Sequence, residues 1–150
     1  MYAFLQNNLK ITNFVARSIL ENMSMSMKII DNAHDEIMER GKELVECFKN
    51  GDIGGAVSMY DTDAELLTSN VPICRGIDAL RIYYTMLKKR NELMINKEPY
   101  EIHTLSPFLA IERGNCVNNS SVERVPIKSR YFILWIKRDI GWMIMQDCKL

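Results

Sequence analysis

The sequence has no excess of charge of either sign, no close pair of cysteines, few histidines and no long hydrophobic run. Each absence removes a class of function. The 19 basic and 19 acidic residues cancel, so no net field draws the chain onto a nucleic-acid backbone or an anionic membrane. Cys47, Cys74, Cys116 and Cys148 lack the close spacing that zinc or thioredoxin-like redox chemistry requires. They read as reduced, mostly buried thiols of a reducing, cytoplasmic compartment; two disulfides would be the alternative in a secreted chain. His34 and His103 have no neighbour at ligand spacing, so neither a metal nor a cofactor is expected. Gly51, Gly54 and Gly55 follow a helical pattern and not a strand, which is the wrong context for a phosphate loop. No segment has the form of a signal sequence or a membrane span. Glycosylation triplets at Asn22, Asn118 and Asn119 matter only in a secreted chain.

What remains is an ordinary globular composition. Hydrophobic residues make up 47% of the 150 residues and charged residues 25%, enough for one domain to bury its own core. Residues 1–26 stand apart as an extension, amphipathic if helical, with Phe4, Leu5, Ile11, Phe14, Val15, Ile19 and Leu20 as apolar anchors. Lys10 and Arg17 are its cations and no acid precedes Glu21, the composition of a mitochondrial transit peptide in one reading and of a helical or frayed extension in the other.

From residue 27 the pattern is that of a folded domain. Ile30, His34, Ile37, Gly41, Leu44 and Phe48 recur at steps of three or four and predict a helix over 29–50 that Gly51 ends. Asp52 is placed to cap a short second helix through Tyr60. Residues 64–68 and 71–75 predict a small hairpin around Ser69 and Asn70. A third helix follows from Gly76 to about Lys89, with Leu80, Tyr83, Tyr84 and Leu87 inward. The run 88–90 is a solvated helix end. Residues 100–105, 108–113, 128–137 and 142–147 then read as successive strands separated by turn signals. Helices first and strands afterwards predict an α+β domain with three helices on one face of a curved antiparallel sheet. In the last strand, alternation sets Trp142 and Ile144 on one face and Met143, Met145 and Asp147 on the other.

Three stretches carry a resemblance: residues 46–56 with 59–67; Arg75-Gly-Ile-Asp-Ala-Leu80 with Tyr83 and Tyr84; and Tyr131, Trp135, Lys137, Gly141, Trp142, Ile144 and Asp147. Together they resemble the nuclear-transport-factor-two-like superfamily, in particular its small ketosteroid-isomerase-like and SnoaL-type domains and the association domain of calmodulin-dependent kinase. The resemblance implies a cone-shaped barrel over about residues 33–148, a pocket between helices and concave sheet, and a homodimer through the sheet's other face. It also sets a test. The isomerases' carboxylate base falls on Thr68 here and their oxyanion tyrosine on Leu44, and neither side chain can do that proton chemistry. Steroid isomerisation by that route is therefore rejected.

Three functions stay open. One is a homodimeric domain whose pocket, lined by Leu44, Phe48, Tyr60, Tyr84 and Trp135, takes a small apolar or aromatic molecule. Another is an enzyme of unknown reaction with His103 or Asp147 as acid or base, His34 reading as a packed or surface imidazole. The third is an assembly module. Tyr131, Ile133 and Trp135 alternate with Phe132, Leu134 and Ile136, so the fifth strand is apolar on both faces. A second subunit is the expected cover.

Overall fold

The computed structural model describes the backbone of every residue except Asn70, and the side chains of all but that residue and residues 2–5, 7, 8 and 31. The expected anchors Phe4 and Leu5 thus lie outside the described side chains, as does the middle of the 69–70 turn. Nine elements follow in chain order: α1 (Tyr2–Lys49), α2 (Ile53–Val57), β1 (Tyr60–Thr68), β2 (Val71–Arg75), α3 (Gly76–Arg90), β3 (Met94–Ser106), β4 (Leu109–Asn118), β5 (Ile127–Arg138) and β6 (Gly141–Lys149).

α1 is a single helix of 48 residues, about 70 Å long at the usual rise. It runs without a break from the expected extension into the body. Its end is set locally: Gly51 takes φ +64°, Gly51 N–H donates to Phe48 and Asp52 N–H to Cys47, the paired bonds of a glycine-terminated helix. Asp52 then accepts from Gly55 N–H at 2.8 Å and caps α2. That helix stops at Val57, and Tyr60 begins β1 instead of closing α2. Within α1, Ala33, Ile37, Leu44, Val45 and Phe48 are buried, whereas His34 is exposed beside Asp35. The inward stripe therefore passes through residue 33 and not 34.

The six strands form one open, curved sheet in the order β2-β1-β6-β5-β4-β3. All neighbours are antiparallel except β1 and β6, which are parallel. α1 packs on β3 and touches β6, α3 packs on β1, and α2 bridges the two helices. The sheet's inner face presents Ala110, Glu112, Cys116, Tyr131, Ile133, Trp135, Trp142 and Ile144 to the core, all buried. Asp147 is there too, contrary to strict alternation. Trp135 pairs with Ile144 but Leu134 with Gln146, so Met145 is an extra residue, and the bulge turns Asp147 onto the inner face. The cysteines are free thiols, Cys116 buried and the other three half-buried. Among the described residues no helix is long and apolar enough to cross a membrane.

Candidate functional site

Two carboxylates stand on the inner face of the sheet. Glu112 on β4 pairs with Ile133 on β5, which pairs with Asp147 on β6, so they are two strands, or roughly 10 Å, apart. Both are almost completely buried.

Glu112 is held by its neighbours' reach. Its flanks on β4 are Ala110 and Gly114, whose cross-strand partners on β5 are Trp135 and Tyr131. With little or no side chain below them, both aromatics lean toward Glu112. Tyr131 Oη donates to Oε1 at 2.5 Å and Trp135 Nε1 to Oε2 at 2.8 Å. Gly114 is required: a Cβ there would lie 2.5 Å from Tyr131 Oη and 2.4 Å from the Glu98 carbonyl oxygen. Burial, then the Glu112 carboxylate, push the Tyr131 phenol well above its ordinary value, so it remains a donor at any neutral pH.

Lys97 on β3 completes this group. Its Nζ lies 2.6 Å from Glu112 Oε1, and its side chain is only 4% exposed. The ammonium also sits 5.1 Å from the Tyr131 ring centre and 5.4 Å from that of Trp135, where ring faces favour a cation. The contact with Glu112 is close enough for an ion pair but is not aligned as a hydrogen bond, and the ammonium has no other protein acceptor. It carries three N–H donors.

Above this pair lies a cavity of about 220 Å³ between α1 and β3, lined by Ile37, Met38, Gly41, Val45, Pro99 and the Lys97–Glu112 pair, with Lys42, Glu46, Lys49 and Asn96 at its rim. Gly41 makes the room: a Cβ there would stand 3.0 Å from Lys97 Nζ. The enclosure is below the usual range for drug-sized ligands and holds roughly seven waters' worth of volume. It is suited to one ring with a short substituent.

The second carboxylate is sealed. Tyr60 Oη donates to Asp147 Oδ2 at 2.7 Å and lies 2.6 Å from Tyr84 Oη, which itself is 3.4 Å from the same oxygen. Lys149 Nζ lies 5.2 Å from the Tyr84 ring centre. Burial and then the Asp147 charge raise the Tyr60 phenol well above its ordinary value. Burial, followed by Asp147 against the opposing pull of Lys149, raises Tyr84. Burial opposes the Lys149 charge, but the tyrosines and Asp147 outweigh it and raise that ammonium too.

The residues singled out from sequence fall in different places. Leu44, Phe48, Tyr60, Tyr84 and Trp135 are all buried in one core, and none lines the Lys97 cavity; Trp135 meets it indirectly, through Glu112. Asp147 belongs to the sealed cluster. His103 is exposed and pairs with Ile111, on the outer face. Thr68 ends β1 and Leu44 is in the core. Lys97, Glu112 and Gly41 as cavity residues were not anticipated. The available signal was the small-residue spacing Ala110-Ile-Glu-Arg-Gly114, which marks Glu112 as inward. Among the described residues no group of three His, Cys, Asp or Glu could hold a metal ion.

No protein-family model matches the chain, and no curated protein matches it either. Solved structures do match. An NTF-2 like protein of unknown function from Shewanella oneidensis is 21% identical, with a TM-score of 0.66 over 77% of this chain and 97% of that one. A ketosteroid isomerase-like protein from Erwinia carotovora atroseptica is 20% identical, with a TM-score of 0.63 over 77% and 92%. An NTF2-like protein with a cystatin-like fold from Novosphingobium aromaticivorans is 16% identical, with a TM-score of 0.62 over 92% and 87%. At these identities the likeness is one of fold.

Proposed function

The chain has the nuclear-transport-factor-two-like fold, and on that fold we propose that it is a small-molecule-binding domain. Its site is the cavity between α1 and β3, and its ligand is a compact, largely apolar molecule, one ring in size, carrying a single acceptor oxygen. The observation that carries this reading is Lys97: a buried ammonium facing an apolar cavity, with an ion-pair partner but no aligned acceptor. Buried polar groups are ordinarily hydrogen-bonded, and a ligand carbonyl would supply the bond. Glu112 balances the charge, so the ligand need not be ionic. Apolar walls at Ile37, Met38 and Val45 favour an aromatic or alicyclic body over a sugar.

Acetophenone and ethylbenzene are nearly isosteric and differ in the acceptor. A hydrogen bond to a charged group contributes about 1.5 kcal/mol or more, so acetophenone should bind about tenfold more tightly to the unaltered protein, and Lys97→Met should erase the preference. Equal affinities on the unaltered protein would contradict the reading.

A second reading, self-association through the outer face of the sheet, is favoured by β5. Phe132, Leu134 and Ile136 alternate with the buried Tyr131, Ile133 and Trp135 and are themselves half-buried, an apolar row on the side away from the helices. Leu134→Arg should then halve the mass seen by sedimentation equilibrium; a mass unchanged by the substitution would count against it.

A further inference from the structure

Residues 9–30 of α1 are all exposed, and they include the largest run of exposed apolar side chains among the described residues. The run has a direction. Leu9, Thr12, Ala16, Ile19, Met23, Ser26 and Ile30 recur at steps of three or four, an uncharged and mainly apolar line that continues into Ala33 and Ile37, which are buried against the body. This is the spacing of a helix–helix seam. Lys10, Arg17, Glu21 and Lys28 fall on the opposite side by helical periodicity, together with the exposed Phe14 and Met25, and Arg17 is already paired with Glu21. A shallow groove follows the seam past Ile19, Met23, Met27 and Ile30. Lower down, Ile29 and Ile30 form a further groove with Leu105 of β3 and Pro107 of the β3–β4 turn.

We propose that two copies of this chain pair through these arms, each arm's apolar seam covering the other's. Leu9, Ile19, Leu20, Met23, Met27 and Ile30 are 48% to 67% exposed and together offer on the order of 700 Å², close to the roughly 800 Å² that one partner contributes to a standard interface. An identical arm matches the seam because the seam carries no charge: two-fold pairing sets one uncharged, mainly apolar seam against the other and leaves every charge outside. A bilayer surface would meet the same apolar face, with Lys10, Arg17 and Lys28 against Glu21 on the other side, and the vesicle experiment below separates it from a second copy. This interface is separate from the outer face of the sheet.

Ile19 is near the middle of the arm, so parallel or antiparallel pairing about a two-fold axis brings it close to its own copy. The native cysteines all lie beyond the arm. In the full-length chain, Ile19→Cys should form a disulfide-linked dimer on mild oxidation, and Arg17→Cys, on the charged side, should not. Equal cross-linking of both, or of neither, overturns the proposal. Ile19→Glu with Met23→Glu changes only exposed side chains and should halve the mass at unchanged melting temperature. An unchanged mass overturns it, as does a monomeric unaltered protein that co-floats with vesicles of phosphatidylserine and phosphatidylcholine. Leu134→Arg should leave the Ile19→Cys cross-link intact, which separates arm pairing from pairing through the sheet.

Discussion

Glu112 and Asp147 are built alike and used differently. Each is a buried carboxylate on the same face of one sheet, each receives two aromatic donors, and each has a lysine over a neighbouring ring. Around Asp147 the donors are tyrosines from β1 and α3, so the cluster ties the helical layer to the sheet and closes over itself. Around Glu112 both donors come from the adjacent strand, and the helix above presents Gly41 instead of a side chain. Space remains there. The difference teaches that a buried charged group marks a site only where the opposing layer withholds atoms; where it supplies them, the same chemistry is a fastening.

The comparison can be broken most strongly at Asp147. Asp147→Ala should strip the two tyrosine hydroxyls of their acceptor and Lys149 of its counter-charge, costing about 3–5 kcal/mol. Melting would fall by roughly 10 °C, while acetophenone affinity of the folded fraction stays the same. Lys97→Met should also destabilise, by about 3 kcal/mol, because Glu112 keeps its two aromatic donors but loses its counter-charge in the interior; unlike Asp147→Ala, it should erase the preference for a ketone over its hydrocarbon analogue. Gly41→Leu sharpens the contrast further: it fills the space over Lys97 and abolishes binding, while a helix-propensity gain of about 1 kcal/mol offsets part of the cost of crowding Lys97 Nζ, 3.0 Å from a Cβ at that position. Denaturant unfolding beside a ligand titration checks all three.

The smallest effect is on alkaline titration. Tyr60, Tyr84 and Tyr131 are all raised above the ordinary tyrosine value by burial first and a neighbouring carboxylate after it. A raised folded value favours the protonated form, so their contribution is complete below about pH 10, the unfolded value, and is lost as pH rises beyond it. Tyrosinate absorbance should show these three ionising only when the fold opens. Ionisation of Tyr60, Tyr84 and Tyr131 at pH 10 in the folded protein would be evidence against both clusters as described.

Much of this architecture was legible in the sequence, because apolar periodicity and the turn residues Gly51, Asp52, Gly76 and Gly141 report local structure directly. The order of helices and strands, the cap at Asp52 and the likeness to the nuclear-transport-factor-two-like fold came from such signals. Three things did not. The face of Asp147 depends on a bulge at Met145, and one extra residue inverts every face assignment after it. Tyr60 reads as part of a helix from its spacing, yet pairs with Ile144 of a strand far along the chain. The site itself is an absence of atoms above Lys97, and no periodicity reports where two layers fail to fill the space between them.

The chain has two tryptophans, and each indole N–H reports a different place. Trp135 donates to Glu112 beneath the cavity, and Trp142 to Glu36 on α1. The most direct test of the ligand site is to follow both indole N–H resonances while acetophenone is added. A saturable shift of the Trp135 resonance, with Trp142 moving far less, is the predicted result. If neither resonance moves, or both move together without saturating, the cavity above Lys97 is not the binding site.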